Sequence, residues 1–195
     1  MDFFEVISQR RSIRKFKQEP VNQETILKIL HAANWAPSAL NLQPWEFIVV
    51  AGDKKHMLGR NYRKIVDDYT RDWDEFPDKA FMPRKDFIRF ANVYGDAPVV
   101  IVVLVESHAD PNYQKALLES ASAAMENMLL AAAALGLGGC WMTGPLEDET
   151  YLRRELSIPD NRVIVALSPI GYPEVTPSPR PRLDPDLTRK VRWLE

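Results

Sequence analysis

The sequence is poor in cysteine, with Cys140 alone among 195 residues. A single thiol excludes an internal disulfide and any cysteine-based metal cluster, and it suits a reducing compartment. Histidine is scarce as well. His31, His56 and His108 lie in unrelated segments without metal-ligand spacing and read as surface residues. Long apolar runs are missing. PVVIVVLV at 98–105 is far below the ~20 residues that span a bilayer. MDFFEVISQR has no basic-then-apolar order of a secretion signal. A cytoplasmic protein without a membrane partner is the resulting expectation. Common catalytic signatures are also absent: there is no GxxxxGK[ST], HExxH or GxSxG. GLGGCW puts Trp141 where a dinucleotide fingerprint needs its third glycine, which excludes NAD held in a Rossmann crevice. Finally, there is no charge excess. A formal net charge of -2 gives no field suited to nucleic acid.

What is present is globular. Hydrophobic residues make up 46% and charged residues 27%, and the length fits one domain able to bury its own core. Phe3, Phe4, Val6 and Ile7 suggest a short first helix. Asn22 caps a second, with Ile26, Ile29, Leu30 and Ala33 at helical spacing and Pro37 beyond its end. WEFIVVA reads as a strand, Gly52-Asp53 turns into a helix through about residue 66, and PVVIVVLVE reads as a strand buried on both faces. A helix rich in Ala and Ser runs from about Tyr113 to Leu135, ended by Gly136. It reads as the core helix of a monomer or as part of a dimer interface, with both roles together the expectation. GLGGCWMTG holds a short strand, a helix covers about 147–156, and RVIVALSPIGYP supplies another strand. The predicted architecture is α/β (α+β): one domain over 1–195, a mixed, mainly antiparallel sheet with helices on both faces. Residues 67–96 read as an excursion or lid, with Tyr69, Trp73, Phe76 and Phe81 as candidate pocket walls. The proline-dense tail, 173–195, must lie extended against something.

One short stretch departs from the neutral background. RRSIRKF at 10–16 carries four cations in seven positions. Arg10, Ser12 and Arg14 alternate, so an extended backbone projects them to one side. Two planar guanidinium forks and a hydroxyl suit a phosphate monoester. In the tail, PRPR fixes Arg180 and Arg182 one proline apart, so arginines from both chain ends could meet at one anion. APSALNLQP brackets Ser38, Asn41 and Gln43 between Pro37 and Pro44, polar groups for the edge of a heterocycle. In MTGP, Gly144 after Thr143 would let a flat ring approach the backbone. A solvated basic face, a linker and a plain connection are the bland alternatives for the first three.

RRSIRKF, APSALNLQPWEFIVV, ALGLGGCWMTG and PRPRL, in this order and rough spacing, resemble the nitroreductase family. The resemblance implies a three-layer α-β-α sandwich and an intertwined homodimer with active sites at the subunit interface. It further implies FMN as cofactor and NAD(P)H as co-substrate. By it Arg10, Ser12 and Arg182, with Arg180 assisting, would hold the FMN phosphate, and Arg11 would lie near the cofactor. Arg14 would face the pyrimidine end of the flavin. Pro37, Ser38, Ala39 and Asn41 would reach the flavin from the partner subunit, and the backbone at Thr143 and Gly144 would address its N5 and O4. The tail would embrace the partner. Some relatives carry an acidic residue at the position of Thr143, which affects a side-chain role but not a backbone one. The implied activity is ping-pong hydride transfer to nitroaromatics, quinones or related small acceptors, with no obligatory side-chain nucleophile. Two other readings stay open: specialised flavin chemistry (dehalogenation, flavin fragmentation, metabolite dehydrogenation), and a non-catalytic nucleotide-binding protein.

Overall fold

The computed structural model describes residues 2–73, 75 and 82–194. Its central feature follows from PVVIVVLVE. Seven successive apolar residues at 99–105 must be covered on both sides, and the chain supplies a helical layer for each. Strand β1 (Trp45–Ala51), β2 (Val99–Glu106), β3 (Gly138–Gly139) and β4 (Arg162–Gly171) form a sheet of order β1-β2-β4-β3. All three ladders are antiparallel, and a parallel bridge joins Ser12 to Gly139. A register shift between Val103 and Leu104 marks a bulge against β4.

Alternation along β2 sorts its side chains. Ile101, Val103 and Val105 face helices α2 (Gln23–Asn34) and α5 (Pro111–Ala134), packing with Ile29, Ala33, Leu117, Ala121, Met125 and Met128. Val100, Val102 and Leu104 face helices α3 (Gly52–Tyr69), α4 (Arg84–Val93) and α6 (Glu149–Leu156), packing with Leu58, Tyr62, Phe87, Phe90 and Leu152. The result is the expected three-layer sandwich of helices, sheet and helices.

Helix ends follow local chemistry. Helix α1 (Phe3–Gln9) opens with a capping box, Glu5 N–H donating to Asp2 Oδ1 at 2.9 Å and Asp2 N–H to Glu5 Oε2 at 3.0 Å. Asn22 accepts from Thr25 N–H at 2.7 Å. Asp110 accepts from the Asn112 and Tyr113 amides before Pro111 starts α5, and those bonds hold its carboxyl below the usual range. Gly136, at φ +75°, lets the chain leave α5 for β3.

The segment 67–96 divides. Trp73 is buried and stacks on Phe87 at 5.6 Å between ring centres, so it belongs to the second core layer. Tyr69 is exposed, edge-on to Trp73 at 5.8 Å. Phe76 and Phe81 lie outside the described residues.

Candidate active site

The basic stretch is neither helical nor loose. After α1 the chain straightens and is laced to three separate elements. Ile13 N–H donates to Gly139 O at 3.0 Å, Phe16 N–H to Gly95 O at 2.8 Å, and Lys17 N–H to Tyr172 O at 2.9 Å. Glu174 N–H donates back to Lys15 O at 3.0 Å, and Lys15 pairs with Glu174 at 2.8 Å. The first of these bonds explains Gly138. The Ile13 side chain fills the space a β-carbon there would take. Ile13 and Phe16 are anchored in the interior, and Arg10, Arg11, Ser12 and Arg14 remain half-buried.

A turn of unusual conformation supports this strap. Tyr94, Gly95 and Asp96 all have positive φ, at 51°, 66° and 69°. A β-carbon on Gly95 would run into the Arg14 carbonyl. From α3, the Lys55 ammonium donates to Ala97 O under the same turn. Burial holds that ammonium below its usual range, with Asp96 acting in the opposite direction.

Beside the strap lies a cleft of about 180 Å³ whose walls include Gln9, Arg10, Arg11, Gly138, Gly139 and Thr176. Arg11 donates through Nη1 to the carbonyls of Ser8 and Arg10, each at 2.7 Å, and its buried Nε has no hydrogen-bond partner among the described residues. Arg10 makes a long contact to Glu126 of α5, 3.5 Å.

The other expected pieces fall in three places. Thr143 and Gly144 follow β3 and the buried Cys140 and Met142, at the start of a 3-10 turn over Gly144–Asp148. Here the space beside Gly144 has an occupant that the sequence did not disclose. The Tyr62 hydroxyl of α3 lies 2.8 Å from the β-carbon position. The glycine therefore makes room for Tyr62. Burial raises the Tyr62 hydroxyl well above its usual range and pushes the Cys140 thiol up to about 12. The nearby positive charge of Arg14 opposes both shifts. Arg14, Tyr62, Cys140 and Gly144 thus form one neighbourhood.

Pro37, Ser38, Ala39 and Asn41 lie on the connection from α2 to β1, docked on the middle of α5. Ala39 N–H donates to Ser120 Oγ at 3.1 Å, and Ser38 Oγ accepts from Gln43 N–H at 3.0 Å. Leu40, Asn41 and Gln43 all have positive φ. Such strain in non-glycine residues gathers at functional sites. Arg180 and Arg182 are the pieces the single chain does not bring in. They are exposed and, among the described residues, make no ion pair. Among the described residues no His, Cys, Asp and Glu cluster could hold a metal ion, and no helix is long and apolar enough to cross a membrane.

A sheet with helices on both faces, an arginine-rich strap along its β3 edge and a glycine turn behind it define a class of protein, and comparison with known sequences agrees. Residues 7–172 match the model of the nitroreductase family. The chain belongs to that family. It is 36% identical over 198 residues, 99% of this chain and 88% of the other, to a protein of Methanothermobacter thermautotrophicus provisionally named an NADH dehydrogenase/NAD(P)H nitroreductase. It is 32% identical over 200 residues to iodotyrosine deiodinase 1 of Rattus norvegicus, covering 97% of this chain and 67% of that one. Among solved structures, an FMN-dependent nitroreductase from Clostridium difficile superposes with a TM-score of 0.72 at 28% identity, covering 99% of both chains.

Proposed function

We propose that this chain is an FMN-dependent oxidoreductase that oxidises NAD(P)H and passes the electrons to nitroaromatics, quinones or related small acceptors. The observation that carries this reading is the strap at 10–14. Ile13 N–H is bonded to Gly139 and the Ile13 side chain turns inward, while Arg10, Arg11 and Ser12 stay half-buried, with Arg10 and Arg11 on the wall of the cleft. The orphaned, buried Nε of Arg11 supports the fit, because a charged donor without an acceptor is costly to keep. A phosphate-bearing cofactor supplies such acceptors.

In this reading Arg10 and Ser12 bind the FMN phosphate, with Arg182 and Arg180 arriving on the extended tail of the partner subunit. Arg11 lies beside the cofactor. Arg14 puts a fixed positive charge where negative charge accumulates on reduction, and the Thr143 and Gly144 amides offer hydrogen bonds to the flavin edge. Pro37, Ser38, Ala39 and Asn41 of one protomer complete the site of the other. FMN, when bound, supplies the two-electron carrier between the two substrates, while the protein supplies placement and electrostatics. The homodimer is supported by apolar side chains that a monomer would leave in water. Phe4 is 78% exposed, Trp35 86%, Leu40 85% and Trp193 85%.

The test is anaerobic rapid mixing of the FMN-loaded protein with NADH or NADPH, wild type against Arg14→Ala. Slower reduction in the variant, with FMN still bound, is expected; equal rates would remove Arg14 from the mechanism. Turnover is then assayed with a panel of quinones and nitro compounds. A second reading, specialised flavin chemistry such as dehalogenation, draws on the 32% identity to the rat deiodinase. It takes over if the wild type oxidises neither nicotinamide.

A further inference from the structure

The Tyr62 ring is fixed on two sides by carbon. It stacks on Tyr94 at 6.0 Å between centres, 20° from parallel, and meets the edge of Phe87 at 6.3 Å. Phe87 is itself stacked on Trp73 and Phe90. Only the hydroxyl end of Tyr62 leaves this aromatic block, and it ends against Gly144. Behind it, Tyr94 is fully buried and its hydroxyl has no hydrogen-bond partner among the described residues. A hydrophobic layer built for stability alone would carry phenylalanine at both places. Two phenols here, one orphaned and one aimed at a turn, point to a polar task at Gly144.

We propose that Tyr62 is a positioning residue that fixes the Thr143–Gly144 turn and, through it, sets the reduction potential of the cofactor. This rests on the FMN reading above. The physical chain is short. The aromatic block holds the phenol rigid, and the phenol oxygen stands where a side chain on residue 144 would be. The backbone of the turn therefore cannot sink toward α3. Its amides would then be held in place for the flavin edge that gains negative charge when bound FMN is reduced. Burial keeps the phenol protonated across the physiological range, so it brings an O–H dipole and no competing negative charge. Preorganised dipoles favour the more negatively charged form of a bound group. Removal of the hydroxyl lets the turn relax and weakens binding of reduced FMN more than binding of oxidised FMN.

The experiment uses the FMN-loaded protein and compares wild type, Tyr62→Phe and Tyr94→Phe. Three quantities are read: the dissociation constant of oxidised FMN, the midpoint potential of the bound flavin, and the thermal unfolding midpoint. Tyr62→Phe is expected to hold oxidised FMN within about threefold while reduced FMN binds about tenfold more weakly. For a two-electron couple a tenfold loss of reduced-FMN affinity relative to oxidised FMN is a fall of about 30 mV. Tyr94→Phe, which keeps the stack and does not touch the turn, is expected to leave the potential in place. Site-specific 3-fluorotyrosine at position 62, a more acidic phenol of nearly equal size, is expected to raise the potential, and it keeps the test open should Tyr62→Phe not fold. An unchanged potential in both position-62 proteins overturns the proposal and leaves the FMN reading standing. An equal fall in Tyr94→Phe also overturns it, because packing would then be the cause. A wild type that takes up no FMN overturns both readings.

Discussion

Gly95 and Arg14 are in backbone contact: a β-carbon on Gly95 would strike the Arg14 carbonyl, and one bond further on the Gly95 carbonyl accepts from Phe16 N–H at 2.8 Å. Gly95 also sits at φ +66°. Gly95→Ala therefore meets two penalties, a left-handed conformation costing roughly 1–2 kcal/mol and a clash with the strap. A loss of about 2 kcal/mol or more in urea unfolding is expected, together with weaker FMN binding as the strap shifts. Full stability with unchanged binding would mean the strap does not depend on this turn.

Among the described residues Arg10 has one ion-pair partner, Glu126 at 3.5 Å, and both side chains are partly exposed. The pair contributes little to stability, so Arg10 is free to serve a ligand. Arg10→Ala is expected to weaken FMN by about tenfold to a hundredfold, the span of a charge-assisted hydrogen bond of roughly 1.5–3 kcal/mol. Glu126→Gln removes only the competing carboxylate and is expected to bind FMN as tightly as wild type or more so. Fluorescence titration of free FMN reads both.

The sequence made much of the frame legible. PVVIVVLVE announced a central strand because no residue in it could face water, and the Ala- and Ser-rich stretch announced α5. Asn22 marked its helix start to the residue. The strap was legible as a cluster of cations, since composition alone makes RRSIRKF conspicuous. Its pairing to Gly139 and Tyr172 was not, because register is a tertiary property and β3 is only two residues long. Tyr62 and Tyr94 escaped notice for another reason. Each lies in a segment with no motif, and their proximity to Gly144 or to each other depends on how α3 and α4 pack. The one local hint was GP at 144–145, a turn whose missing side chain had to be matched by something.

Cys140 gives a prediction about alkaline pH. Burial raises its thiol to about 12, against Arg14 acting the other way. An unfolded cysteine ionises near 8.5. The native state thus retains its proton longer, so this term is fully present below about pH 8.5. Above that it is lost at about 1.4 kcal/mol per pH unit until the native thiol ionises. Cys140→Ala is expected to flatten the alkaline limb of stability, read as urea midpoints between pH 8 and 10. Wild type is also expected to resist iodoacetamide at pH 8 unless unfolded. Rapid alkylation of the folded protein would show that the thiol is reachable.

Whether the arginine strap makes this chain a flavoenzyme is decided by the visible spectrum of the FMN-reconstituted protein during anaerobic titration with NADH and NADPH. About one FMN per chain is expected, with bleaching of the flavin band by one equivalent of at least one nicotinamide. Protein that stays colourless after incubation with FMN would contradict it.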